Sequence, residues 1–192
     1  KDDVKQTKKT LSSAKKGIEA HETIQYFLEN EDNNNLNKIS SFFKEQLTYI
    51  KENKKYTVER EIKFSFFGHI VQGRADLIIM DSVPRVVDFK TGDFCEEMQK
   101  TYLTQIYFYA MGLWAQGELG RETLISVEIF YLDLDIIKKT EITVEEIISY
   151  LWSHIALKMN KESLNLNYCQ KCKFEMICQK RANFALTPRI NR

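Results

Sequence analysis

Asp76, Asp88 and Lys90 are the residues whose types and spacing could do chemistry. In "VVDFKTG", residues 86–92, two valines call for burial in a sheet. Asp88 and Lys90 then share one side of that strand, with Phe89 pointing away. Asp76 ends "QGRAD" in the preceding apolar run. If the two runs pair through the short turn "DSVP", both carboxylates lie at neighbouring places on one sheet surface. Two acids that close repel each other unless something positive sits between them. A divalent cation meets that need, because hard cations take carboxylate oxygens. Lys90 would emerge beside it, able to polarise a phosphate oxygen or orient an attacking water. Gly73, just before Asp76, would let the backbone bulge or run close to a neighbour.

An isolated Asp-x-Lys is ordinarily a surface contact, so the surrounding residues decide what it means. Gly17, His21, Ile24 and Leu28 share one helical face, and a histidine on an apolar face needs a polar partner. Gln105 and Tyr109, four apart, put an amide and a phenol on one face of a later helix. Each would pass alone as an ordinary core or rim residue. Near the C-terminus, Cys169, Cys172 and Cys178 form a C-x2-C-x5-C run, which in a reducing compartment suggests a soft-metal site.

The elements that must position these groups follow from periodicity. Residues 12–30 read as a helix capped by Ser12 or Ser13, with Ile18, Ile24, Phe27 and Leu28 as its apolar stripe. A run of Asn breaks it, and 39–53 is a second amphipathic helix with Phe42, Phe43, Leu47 and Ile50 inward. Three strands follow as a meander, over 54–66, 68–81 and 84–92. A long buried helix spans 96–116, a fourth strand 122–135, and a last helix starts at Thr143 with Glu146 completing a capping box. Trp114 and Trp152 read as core, His154 as a helix-rim residue. Phe66, Phe67 and His69 at the hairpin read as packing residues before DNA contacts. The pattern is an α/β domain with a central mixed sheet flanked by helices, over 1–160, and a cysteine-bearing tail over 161–192 packed on the same domain.

Net charge is +1, so global charge names no partner. Its distribution says more: residues 1–16 hold six lysines against two aspartates, and 166–192 hold six basic residues against one glutamate. Basic ends suit an anionic partner such as a phosphate backbone. No apolar run is long enough for a membrane span and no signal-peptide pattern opens the chain, so a reducing, cytoplasmic setting is expected. No Met stands first, which suggests trimming or a piece of a longer protein.

Together, "GIEAH", "GRAD", "VVDFKTG" and "QIYFY" occur in the order and at spacings that resemble the RecB-like branch of the PD-(D/E)XK nuclease superfamily. The resemblance implies a restriction-endonuclease-like core. It implies that His21, Asp76, Asp88 and the backbone carbonyl of Phe89 bind Mg2+ or Mn2+, that Lys90 is the catalytic lysine, and that Gln105 and Tyr109 support the site. Ala75 stands where the family often writes Ile or Val. The activity implied is metal-dependent hydrolysis of DNA, as an exonuclease or endonuclease in repair or recombination. DNA with single-stranded ends, and a helicase domain or subunit, are the implied partners. The cysteine run is similar to that of RecB-like nucleases carrying a [4Fe–4S] cluster, whose fourth cysteine precedes the first helix. Here the other cysteine is Cys95, so the fourth ligand is lost upstream, is Cys95, or is absent, and zinc remains an alternative. The competing reading is an idle nuclease fold that binds DNA or a partner.

Overall fold

The structure is a computed structural model that describes residues 2–30, 36, 39–66 and 68–160, with side chains between Lys15 and His154. The chain divides into two units, Lys1–Trp152 and Ser153–Arg192. The tail with Cys169, Cys172 and Cys178 lies outside the described residues.

Helix α1 spans Asp2–Glu29 and α2 Ser41–Asn53. Strands β1 (Tyr56–Phe66), β2 (His69–Ile79) and β3 (Arg85–Lys90) follow. Helix α3 (Glu96–Ala115) leads to β4 (Leu124–Tyr131), β5 (Ile136–Thr143) and α4 (Val144–Asn160). The sheet runs β1-β2-β3-β4-β5, with β3 and β4 parallel and the other pairs antiparallel. A parallel pair needs a crossover, and α3 supplies it. From Ile125 on, every residue of β4 is buried, as expected of a strand covered on both faces.

One core joins Ile24, Phe27 and Leu28 of α1 and Phe43, Leu47 and Ile50 of α2 to Leu77, Ile79, Val87, Phe89 and Phe130 of the sheet. Their alternates Ile78, Val86 and Ile129 are also buried, on the opposite face. Helix α3 presses on β1 so closely that a Cβ at Gly112 would collide with Ile62 and Phe64. Tyr107 of α3 meets Tyr150 of α4 edge to face at 5.3 Å. The sheet is thus mixed and flanked by helices.

Several sequence expectations shift. Helix α1 begins at Asp2, so Ser12 and Ser13 lie inside it; nothing upstream is a Gly or Pro that would stop it. Ser40 caps α2, its hydroxyl accepting from the Phe43 N–H. Ile18, Phe42 and Trp152 were expected inward but are exposed, at 60, 37 and 48%. Strand β4 stops at Tyr131, where a turn with Asp135 at φ 54° folds the chain into β5, a strand the periodicity did not reveal. Strand β5 is an edge strand rich in Lys, Thr and Glu, so most of it faces water and carries no apolar alternation. The capping box at α4 is present: Glu146 Oε2 accepts from the Thr143 N–H at 2.9 Å and from its hydroxyl at 2.7 Å.

Candidate metal centre

Strands β2 and β3 pair from Ile79–Arg85 up to Leu77–Val87, and the described ladder ends there. Asp76 and Asp88 are the next residues on each strand. Past the ladder, β3 has spare backbone groups, and Asp76 Oδ2 accepts the Phe89 N–H at 2.7 Å. The Phe89 carbonyl accepts from His21 Nε2 at 2.9 Å. That contact needs the proton on Nε2, because a carbonyl only accepts. Nδ1 lies 3.5 Å from Asp76 Oδ1 and 4.0 Å from Glu59 Oε1. The α1 face that buries Ile24 and Leu28 therefore delivers His21 to the end of β3.

Asp88 is 1% exposed. Lys90 Nζ forms an ion pair with its Oδ2 at 2.5 Å, and Oδ1 has no hydrogen-bond partner. Buried carboxylate oxygens without donors are costly, and a hard cation is the group that satisfies them best. Burial raises the Asp88 pKa, against the charge and contact of Lys90 and the pull of His21. Burial first, then Asp88, pushes Asp76 up to about 6, against His21, the Phe89 N–H and Lys90. The two carboxyls thus sense each other across the end of the ladder. Lys90 also lies 4.7 Å from the centre of the Tyr102 ring, so its ammonium is held between an acid and an aromatic face.

Gln105 donates to the Tyr109 hydroxyl at 2.7 Å. Burial raises the Tyr109 pKa, the Gln105 contact lowers it, and Asp88 and Asp76 add to the rise. A Cβ at Gly73 would stand 2.7 Å from Tyr109 Cε1: glycine is what lets that ring approach. The loop after Lys90 is fixed by Asp133, which accepts the Gly92 N–H at 2.7 Å and pairs with Lys16 of α1 at 2.9 Å. These contacts hold the Asp133 carboxyl below the usual carboxylate range, despite burial.

The structure therefore brings His21, Asp76, Asp88, Lys90, the Phe89 backbone, Gln105 and Tyr109 to one region. It adds Glu59, which sequence reasoning missed. Oxygens or nitrogens of His21, Glu59 and Asp76 all lie within 4.8 Å of one another, a spacing that could hold a cation. Asp88 is not one of that trio. Glu59 sits across from Asp76 in the β1–β2 register, but its φ of 48° removes the pair from the ladder. A glutamate within an alternating strand gives no sign of this; only the backbone does. Cys95 is an exposed thiol at the start of α3, with no capping bond from its side chain.

The chain belongs to the PD-(D/E)XK nuclease superfamily, whose family model matches residues 3–179. No curated protein matches it. A solved structure, that of SSO0001, is similar over 82% of this chain and 80% of that one, at 19% identity and a TM-score of 0.34. Members of the superfamily suggest a metal-dependent nuclease acting on nucleic acid. No described helix is long and apolar enough to cross a membrane.

Proposed function

We propose that the chain is a Mg2+- or Mn2+-dependent deoxyribonuclease of the RecB-like branch. His21, Asp76, Asp88 and the Phe89 carbonyl would hold the cation, with Glu59 beside them. The observation that carries this reading is Asp88: fully buried, its Oδ1 without a donor, next to an acid pushed up to about 6 and paired with Lys90 at 2.5 Å. When bound, a divalent cation supplies positive charge that offsets the negative charge building on the scissile phosphate. Lys90 stabilises the same charge from the nucleophile side or orients the attacking water. Water adds to phosphorus, the phosphodiester P–O bond breaks, and the leaving oxygen takes up a proton. Gln105 and Tyr109 support the acid pair from α3.

The resemblance supports three further assignments. A role in DNA repair or recombination, with exonuclease action on single-stranded ends and an attached helicase, would follow from the RecB-like branch. Cys169, Cys172 and Cys178 would hold a structural [4Fe–4S] cluster, or zinc. A cytoplasmic location fits a thiol-rich tail.

Labelled single- and double-stranded DNA incubated with Mn2+ tests the reading. Wild type is expected to cut, and Asp88→Ala and Lys90→Ala to lose about a hundredfold or more. Equal cutting by all three would remove the proposed site. DNA binding without cutting in all three would favour an idle binding module.

A further inference from the structure

Arg74 lies two residues before Asp76 and takes no part in the scheme above. Its guanidinium Nη1 stands 3.6 Å from Glu59 Oε2, and its side chain is 60% exposed. The other Glu59 oxygen faces His21 Nδ1 at 4.0 Å. One carboxylate thus spans the cation trio and the arginine. Its backbone adopts a left-handed conformation unusual for a non-glycine residue, which an ordinary hairpin ion pair would not need.

Arg74 and Glu59 open on a groove of about 470 Å³, lined also by Ile18, His21, Glu22 and Gln25. Glu22 and Glu59 outnumber Arg74 on this wall. Such a wall repels a phosphate. A divalent cation held beside Glu59 would offset these acids, and the Glu59 carboxylate, shared with it, would loosen its hold on Arg74. The guanidinium fork is then left to a ligand with matching acceptors, and phosphate oxygens match it in two-point geometry.

We propose that Arg74 binds a backbone phosphate of the substrate strand, and that Glu59 couples this contact to cation occupancy, so that cation and DNA bind cooperatively. The inference rests on the nuclease reading and adds a positioning residue to it. A solvated rim ion pair would leave DNA binding unchanged when removed.

The test is fluorescence anisotropy with a labelled single-stranded oligonucleotide, in a Lys90→Ala background that prevents cutting, with and without Mn2+. Mn2+ is expected to tighten binding about tenfold or more, and by linkage the oligonucleotide tightens Mn2+ binding by the same factor. Adding Arg74→Ala should remove most of that gain and flatten the salt dependence by roughly 0.7 in log–log slope, with Arg74→Lys restoring part of both. Adding Glu59→Gln should tighten binding without Mn2+ and shrink the Mn2+ effect. Arg74→Ala with unchanged affinity and salt slope overturns the proposal. So does Glu59→Gln with an unchanged Mn2+ effect. If wild type cuts DNA while Arg74→Ala binds as before, this proposal alone fails. If wild type neither cuts nor binds, the nuclease reading fails with it.

Discussion

Asp88→Asn is expected to silence cleavage and, at the same time, to stabilise the metal-free protein. The loss should exceed the roughly 10–100-fold that removal of an outer-shell partner costs, because Asp88 is proposed as a direct ligand. The gain has a separate cause. Asp88 is buried and faces a second acid, and burial raises its pKa despite the Lys90 ion pair, so its charge is a net cost in the absence of a divalent cation. A neutral amide of the same shape removes that repulsion. Relief of that burial cost, less the ion pair given up, is worth on the order of 1 kcal/mol, and each kcal/mol moves Tm by about 2–4 °C at this chain length. The ammonium of Lys90 loses its partner, but its side chain is 20% exposed and rests on Tyr102, so it can turn to water. Thermal unfolding in a chelator reads the effect. A variant that is inactive and also less stable would show that Asp88 serves the fold rather than a cation.

The second large effect is on pH. The folded pKa of Asp76 is about 6, above its ordinary value of 3.8, and burial raises Asp88 in the same direction. Between those values the folded chain binds more protons than the unfolded one, so metal-free stability rises as pH falls from about 7 towards 4. Two pH units at one group correspond to on the order of 2–3 kcal/mol. Asp133 and Glu146 act oppositely, since their pKa values are lowered. Their contribution is lost only below the ordinary carboxylate range, so the two windows separate. Urea denaturation in chelator should therefore give greater stability near pH 5 than near pH 8. With saturating Mn2+ the trend should invert, because a cation needs both carboxylates ionised. Equal stability at the two pH values without metal would mean that the acids are not held in an unfavourable, buried state.

Much of the site could be read from residue types. "VVDFKTG" follows a strand alternation that needs no tertiary knowledge, and Gln105 with Tyr109 follows from helical spacing. His21 was reachable because Gly17, Ile24 and Leu28 mark the buried face it shares. Glu59 was not: its role comes from a left-handed backbone torsion that turns its carboxylate out of the ladder, and no spacing rule encodes that. Strand β5 escaped for the reverse reason, since an edge strand needs no apolar face. Ile18 was read into the apolar stripe yet lines an open groove, because at 3.6 residues per turn it stands about 120° round α1 from Ile24.

The most direct measurement is calorimetric titration of Mn2+ into chelator-treated wild type and Asp88→Asn. Mn2+ is chosen because it prefers oxygen and imidazole ligands to the thiolates of the tail. Wild type should take up one Mn2+ per chain at the carboxylate site, and Asp88→Asn should bind it at least about tenfold more weakly. Equal affinity and stoichiometry in the two proteins, or no uptake by wild type, would contradict a cation held between Asp76 and Asp88.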